Sequence, residues 1–358
     1  MPPSSKGYSA FVLSNAPHIG SVESALRTLT YVLPGRFAHA DLVAEAIGAT
    51  VNIAALYHDK TLDLLARRQL KTTPSNFNKY TAAMLNTSPI YTKIAYALTL
   101  MGYLDNLLEQ TLTRRFGMHI KWPFVTTYEV IKLALRLALI RMSRLRMLPH
   151  QAVEEREFDP TKLQPHDPHA LNVSTGSITN NTGFVGSRSG KSFSTMEEVG
   201  RDPKTVESFL HSKALSGTVT KPTELLQPLD TFRTLAELAF ILRPILYVLM
   251  IRKYGMNSWK PWTTSLALEI VSLAVQTEPS KFRWRSDLTE LERNEYKKRM
   301  VFLVFYILRN PFFGVYTLPR LQKFIGWGSQ KILISLVTGV VKDMIPMWEN
   351  VYYLTAAY

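Results

Sequence analysis

Residues 240–277, FILRPILYVLMIRKYGMNSWKPWTTSLALEIVSLAVQT, constrain this chain more than any other stretch. They form two apolar segments joined by a basic, aromatic elbow. Runs this apolar must be buried in protein or in lipid, so the remaining helices have to be arranged about them. The first segment carries Arg243 directly before Pro244. Proline lacks the backbone donor and crowds the preceding turn, which predicts a kink or interruption there and argues against a straight, featureless membrane span. Arg252 and Lys253 fall in the last helical turn, where cations favour a helix C-terminus, and Gly255 stands where a left-handed cap is expected. Trp259, Lys260, Pro261 and Trp262 form the elbow. Two indoles beside a lysine suit a membrane–water interface, because each has an apolar body and a polar N–H; they equally suit the gap between two packed helices.

Composition decides less than distribution. Hydrophobic residues are 46% of the 358, ordinary for a soluble protein, but they come in blocks. The length suffices for two ordinary domains or one large domain with an insertion. The net charge of +14 arises from 42 Lys and Arg against 28 Asp and Glu, an excess that fits nucleic acid, an anionic membrane or an acidic partner. The basic residues gather at the ends of apolar helices and not on one polar face with interleaved aromatics, so no nucleic-acid partner is expected. That placement suits anionic lipids, where each cation contributes about 1 kcal/mol near the surface. With no cysteine in the chain, disulfides, thiolate nucleophiles and cysteine-ligated metals are excluded. The first residues lack the apolar core of a secretory signal, so no cleaved signal is expected.

In chain order the apolar periodicity predicts helices. Ser21 caps one running to Val32, and Pro34 and Gly35 force a turn. A second covers Asp41 to Tyr57, is interrupted by His58 and Asp59, and is followed by a short charged helix from Thr61 to Leu70 that ends in Arg67, Arg68 and Lys71. Another extends from Pro89 to Arg115. From Trp122 to Leu148 an apolar helix carries Glu129, Lys132 and Arg136 on one face, where Glu129 is spaced to pair with Lys132; Arg141, Arg144 and Arg146 make its end strongly basic. Such a helix lies in a bilayer interface with its long stems snorkelling, or packs in a core with its charges in water, or enters the membrane if other helices shelter the charges. Beyond the opening stretch, Ser286 or Asp287 caps a helix whose start is charged and whose end is apolar, with Glu290 completing a capping box. Helices over 318–324 and 330–344 precede an aromatic terminus.

At Pro149 the composition turns to Pro, Ser, Thr, Asn, Gly and His without periodicity, which predicts a flexible linker over 150–223. Its VGSRSGKS run has three residues between Gly186 and Gly190 where a phosphate-cradling loop needs four. No His-Glu-x-x-His or Gly-x-Ser-x-Gly motif occurs, and His58-Asp59 and His39-x-Asp41 read as helix-boundary pairs. No catalytic residue, metal or cofactor is expected.

The string RPILYVLMIRKYGMNSWKPWTTSLALEI, then YILRNPFFGVYT and MWENVYY, resembles the C-terminal half of the peroxin-16 family of peroxisomal membrane-biogenesis proteins, in a fungal-like form. YVLPGRF (Tyr31 to Phe37), LYHD (Leu56 to Asp59) and YEVIKLALRLALI (Tyr128 to Ile140) are similar to that family's N-terminal half, in the same order. The likeness covers nearly the whole chain except the linker. It implies a non-catalytic role in making peroxisomes, at the endoplasmic reticulum and peroxisomal membranes, with peroxin-3 and its chaperone partner peroxin-19 as partners. The expected protein is all-α: a helical region over 1–149 with an amphipathic or membrane helix at 122–148, a disordered linker at 150–223, and a helical region over 224–358 containing the bent apolar hairpin 235–277. Function is expected to be that of a membrane scaffold receiving or recruiting other peroxins; the alternative is a peripheral regulator of division or membrane remodelling. Arg243, Trp259, Lys260, Pro261 and Trp262 would fix the hairpin in the membrane, and Arg67, Arg68 and Lys71 would form a targeting element.

Overall fold

Helix boundaries follow local chemistry at several points of the computed structural model, which describes residues 3–70, 73–163, 184–185, 192–193, 222–278, 283–284, 288–328 and 331–356. The first helices are α1 (Pro3–Ser14), α2 (Ala16–Val32) and α3 (Ala40–Leu70). Ser75 accepts from the Asn78 N–H to open α4 (Asn76–Thr87), and Ser88 accepts from the Ile90 N–H to open α5 (Pro89–Phe116). Gly117, at φ 80°, turns the chain into α6 (Met118–Met142). The apolar hairpin follows as α7 (Thr231–Tyr254) and α8 (Trp259–Ala274). Then come α9 (Glu290–Phe302), a 3₁₀ continuation over Leu303–Leu308, a π-helical turn over Phe313–Thr317, α10 (Leu318–Gly328), α11 (Ile332–Asn350) and α12 (Tyr352–Ala356). The fold is all-helical apart from two antiparallel pairs of two-residue strands, Phe184–Val185 with Ser192–Phe193 and Thr277–Glu278 with Arg283–Trp284, among the described residues.

The chain divides into one compact unit made of residues 1–165 and 222–358 and a second made of 166–221. In the first unit both halves of the sequence share a core: Tyr80, Tyr91 and Leu139 meet Leu226, Ile241 and Leu291. A second cluster joins Val125 and Tyr128 to Tyr247, Val248, Tyr352 and Tyr353. Glu109 ties the C-terminal end to α5 by accepting the N–H groups of Tyr352 and Tyr353, at 2.7 and 2.9 Å, while Lys121 pairs with Glu109 at 2.8 Å. In the second unit the described residues are the strand pair at 184–185 and 192–193. The rest of VGSRSGKS, and most of the expected linker, lies outside the described residues.

Several boundaries differ from expectation. Residues 150–163, assigned to the linker by composition, pack into the first unit: the Asn78 side chain bonds both the N–H and the carbonyl of Glu155, and Ala152, Val153 and Leu163 are buried. Ser21 is interior to α2, where it bonds the Pro17 carbonyl. His58 and Asp59 do not interrupt α3, because tertiary partners hold them: His58 lies between Tyr8 and Glu23, and Asp59 pairs with Arg156. Helix α6 ends at Met142 and not Leu148, since Arg144 and Leu145 take positive φ. The capping box is Thr289 with Glu292; Ser286 and Asp287 lie outside the described residues. Pro244 neither breaks nor ends α7, which runs unbroken through it. Burial on a helix-facing side and the anchored Arg243 beside it offset the roughly 3 kcal/mol that an interior proline costs.

Candidate membrane-facing site and its polar interior

Helix α7 is apolar nearly all round, yet its charges before the last turn point inward. Arg233, Glu237 and Arg243 are buried, as are Ile241, Tyr247, Val248 and Ile251 on the same arc. The opposite arc, with Phe232, Leu235, Leu242, Leu246 and Leu249, faces outward, Phe232 being 73% exposed. Helix α8 repeats the arrangement: Ser265, Glu269 and Ser272, spaced by four and three, are buried, while Ile270 and Val271 are exposed. On α6 Glu129 and Lys132 are buried and Val130, Ile131 and Leu137 exposed. Helix α9 differs: Glu292, Glu295 and Arg299 are buried, but Glu290, Asn294 and Lys297 are exposed with Met300 and Val301, so only its last turn is apolar outside. A protein surrounded by water has the opposite polarity, so these outward faces suit hydrocarbon.

Most of the inward charges have a partner on another helix. Arg243 Nη1 donates to Glu269 Oε2 at 2.6 Å and to the Tyr306 hydroxyl at 3.3 Å. Tyr306 donates in turn to Glu269 at 2.8 Å, which leaves Ser265 to donate to Tyr306, also at 2.8 Å. Arg299 forms a two-pronged pair with Glu237, both contacts at 2.7 Å, and Glu237 also accepts the Leu148 N–H. Arg233 bonds Gln276 and Glu292. Lys132 pairs with Asp105 at 2.6 Å and Glu129 at 3.5 Å. Thus Glu129 and Lys132 of the charged stripe of α6 are neither snorkelling nor solvated; α5 shelters them.

The sequence-nominated residues divide by position. Arg243 and Pro244 are buried at the centre of the network. Pro261 is in the first turn of α8, where no backbone donor is needed, so the Trp259–Trp262 run opens a helix and the true elbow is Gly255 to Ser258. Trp262 plugs the gap: its indole N–H donates to the Tyr306 carbonyl at 3.0 Å and its ring stacks on Phe312. Trp259 stays half-exposed, edge-on to Trp262 and Tyr316, and Lys260 lies over the Tyr254 ring at 4.6 Å. Arg141 and Arg144 are exposed, and Arg146 pairs its backbone with Pro228. Arg67 and Arg68 sit in the last turns of α3 with side chains outside the described residues, as is Lys71 altogether. Tyr306, Glu237 and Arg299 were not singled out from the sequence. The Ser265, Glu269, Ser272 spacing was the available signal, a polar stripe inside an apolar helix.

By length and composition, Ala40–Asp63 and Thr231–Tyr254 are apolar enough to cross a membrane, and Glu290–Leu308 with Phe313–Gly328 would form a third, bent by 69°. At 16 residues, α8 is shorter than the ~20 that a span needs. Among the described residues no enzymatic set is assembled. His58 and Asp63 have the His-x4-Asp spacing of lipid acyltransferases, but five residues along a helix separates them by about 140°. Both ring nitrogens of His58 are engaged, at 2.6 Å from Glu23 and 2.8 Å from Tyr8. No cluster of three metal-ligating side chains occurs among the described residues.

Comparison with known proteins agrees with this picture. The family described as Peroxisomal membrane protein (Pex16) matches residues 6–350. Peroxisome biogenesis protein 16 of Arabidopsis thaliana is 23% identical over 382 aligned residues, 96% of this chain and 97% of that protein. Peroxisome biogenesis factor 16 of Dictyostelium discoideum is 29% identical over 126 residues, 35% of this chain and 31% of that one. No solved structure matches. The chain therefore belongs to the Pex16 family, as a non-enzymatic biogenesis factor of the peroxisomal membrane.

Proposed function

We propose that this biogenesis factor is an integral scaffold that recruits or receives other peroxisomal membrane proteins, with peroxin-3 and peroxin-19 as its partners and a second pool in the endoplasmic reticulum membrane. The observation that carries the integral part is the inverted polarity of α6 to α8, with ion pairs inside and leucine, isoleucine and valine outside. The partners, the second pool and the fungal-like affiliation rest on the family resemblance of the sequence. On this reading Arg243 locks the hairpin, Trp259 and Lys260 sit at the membrane–water boundary, Arg141, Arg144 and Arg146 meet anionic headgroups, and Arg67, Arg68 and Lys71 serve targeting. The test is alkaline carbonate extraction of organelles with protease protection of a tag placed within 166–221, together with capture of peroxin-3 from digitonin extracts. Retention in the pellet with peroxin-3 in the capture supports the scaffold. Unchanged localisation after replacing Arg67, Arg68 and Lys71 by alanine removes the targeting role.

A second reading, a peripheral regulator of division lying on one leaflet, is favoured by α10. Phe324 and Trp327 are exposed on that short helix, which also carries Arg320 and Lys323, the pattern of an interfacial helix. Release by carbonate selects it.

A further inference from the structure

Between α5, α6 and the segment at 150–152 is a cavity of about 250 Å³, bordered by Gly102, Asp105, Asn106, Lys132, Arg136 and Tyr353. At roughly 30 Å³ per water it holds about eight waters' worth of atoms. Its polar groups are incompletely used. Asp105 Oδ2 pairs with Lys132, but Asp105 Oδ1, Asn106 Oδ1 and the Tyr353 hydroxyl have no hydrogen-bond partner, although Asp105 and Tyr353 are 6% and 3% exposed. Arg136 makes no hydrogen bond or ion pair among the described residues; Glu129 and Asp105 act on it only through their fields. A buried polar atom without a partner costs free energy, and three such atoms on residues bordering one space, with the unbonded Arg136 beside them, point to something that fills it.

The charges say what. Burial pushes Asp105 up to about 6, Lys132 pulling the other way, so it remains largely ionised at neutral pH. Asp105 and Glu129 then balance Lys132 and Arg136, and a ligand of net charge far from zero would upset that balance. A ligand with an anionic and a cationic end would not. Arg136 and the Tyr353 hydroxyl supply donors for a phosphate oxygen pair, and Asp105 Oδ1 with Asn106 Oδ1 supplies acceptors for an ammonium.

We propose that this cavity binds the headgroup of phosphatidylethanolamine, phosphate toward Arg136 and Tyr353 and ammonium toward Asp105 and Asn106. Choline has no N–H to give the two acceptors, and a serine headgroup adds an uncompensated carboxylate. The free monoester of ethanolamine carries up to two negative charges above its second ionisation near pH 6, so the lipid diester fits the balanced charges better. This site is independent of the partner assignments above.

Gly102 supplies the decisive variant. A Cβ there meets no atom within 4 Å, so Gly102→Leu projects into free space at the cavity wall and raises helix propensity at the same time. Full-length protein in detergent micelles is supplied with dioleoyl phosphatidylethanolamine, phosphatidylcholine and phosphatidylserine at equal mole fraction, and retained lipid is counted by native mass spectrometry. Ethanolamine lipid is expected to be retained at least tenfold over the other two. Tyr353→Phe should lower that retention several-fold, and Gly102→Leu should abolish it without lowering the melting temperature. Equal retention of ethanolamine and choline lipids overturns the proposal, as does a Gly102→Leu protein that still retains ethanolamine lipid. Displacement of the lipid by an equal concentration of free O-phosphoethanolamine overturns the lipid assignment in favour of the soluble ester.

Discussion

Removing the charge of Arg243 tests the polar interior most directly. Arg243 is 2% exposed and Glu269 1%, and they meet at 2.6 Å with the Tyr306 hydroxyl bonded to both. Arg243→Met keeps most of the side-chain volume but leaves Glu269 with Tyr306 as its remaining partner. Breaking a buried ion pair from one side costs about 3–5 kcal/mol, because the orphaned charge keeps its full desolvation penalty. Glu269→Met should cost a similar amount from the other side. In Arg243→Met/Glu269→Met no charge is left to desolvate, and replacing both partners by apolar groups of like volume is commonly neutral or stabilising by about 1–4 kcal/mol. The double variant should therefore be more stable than either single one. The assay is equilibrium unfolding of the detergent-solubilised protein, followed by tryptophan fluorescence, to which Trp262 contributes with its indole bonded to the carbonyl of Tyr306 in the same network. A double variant that loses the sum of the two single losses refutes the reasoning, and so does a single variant that loses less than about 1 kcal/mol.

Three further outcomes are expected. Gly35, at φ 79°, would set a Cβ 2.5 Å from the carboxyl carbon of Asp343, so Gly35→Ala should cost about 1–2 kcal/mol from backbone strain alone, read as a shift in the unfolding midpoint. Leu246→Lys places a charge on the outward arc of α7 near the middle of a candidate span: in a bilayer it should cost about 2.5–3.5 kcal/mol of insertion, read by glycosylation mapping, whereas at a wet surface it would change stability by less than about 0.5 kcal/mol. Burial works to raise the pKa of Glu23, but the hydrogen bonds from His58 and Arg156 outweigh it and hold the carboxyl below its ordinary 4.5. A depressed folded value contributes stability above pH 4.5 that is lost as pH falls through that folded value, at no more than about 1.4 kcal/mol per pH unit, and the Glu23→Gln protein should lack this acid-limb slope in its melting temperature.

Where local rules suffice, the sequence could be read. The helix at 89–116, the Pro34-Gly35 turn and the cap at Gly255 each depend on a few adjacent residues, and the structure has them. Where a distant partner decides, it could not. Asp59 sits inside a helix because Arg156, 97 residues on, pairs with it, and the stretch at 150–163 is ordered by Asn78 on α4. The same reason hid the direction of the charges. Helical periodicity says that Glu129 and Lys132 share a face; it does not say whether that face meets water or Asp105, 27 residues earlier. Arg243 likewise needs Glu269 and Tyr306, 26 and 63 residues away, before it becomes a buried group with partners.

That direction is what the membrane reading turns on. An apolar helix with a few charges has two self-consistent environments: apolar face inward and charges in water, or charges inward on satisfied partners and apolar face in lipid. Their sequences are the same, and only the location of complementary charges separates them. Here α6, α7 and α8 turn charges inward and apolar residues outward, α9 adds Glu292 and Arg299 to the same interior, and the inward acids and bases meet in pairs: Glu129 with Lys132, Glu237 with Arg299, Glu269 with Arg243 and Glu292 with Arg233. A water-soluble bundle would gain little from burying these pairs, because apolar side chains of similar volume do as well or better. In hydrocarbon such pairs give helices a reason to associate when the hydrophobic effect supplies none, so under the integral reading proposed above the interior that looks costly in water is what would hold the bundle together.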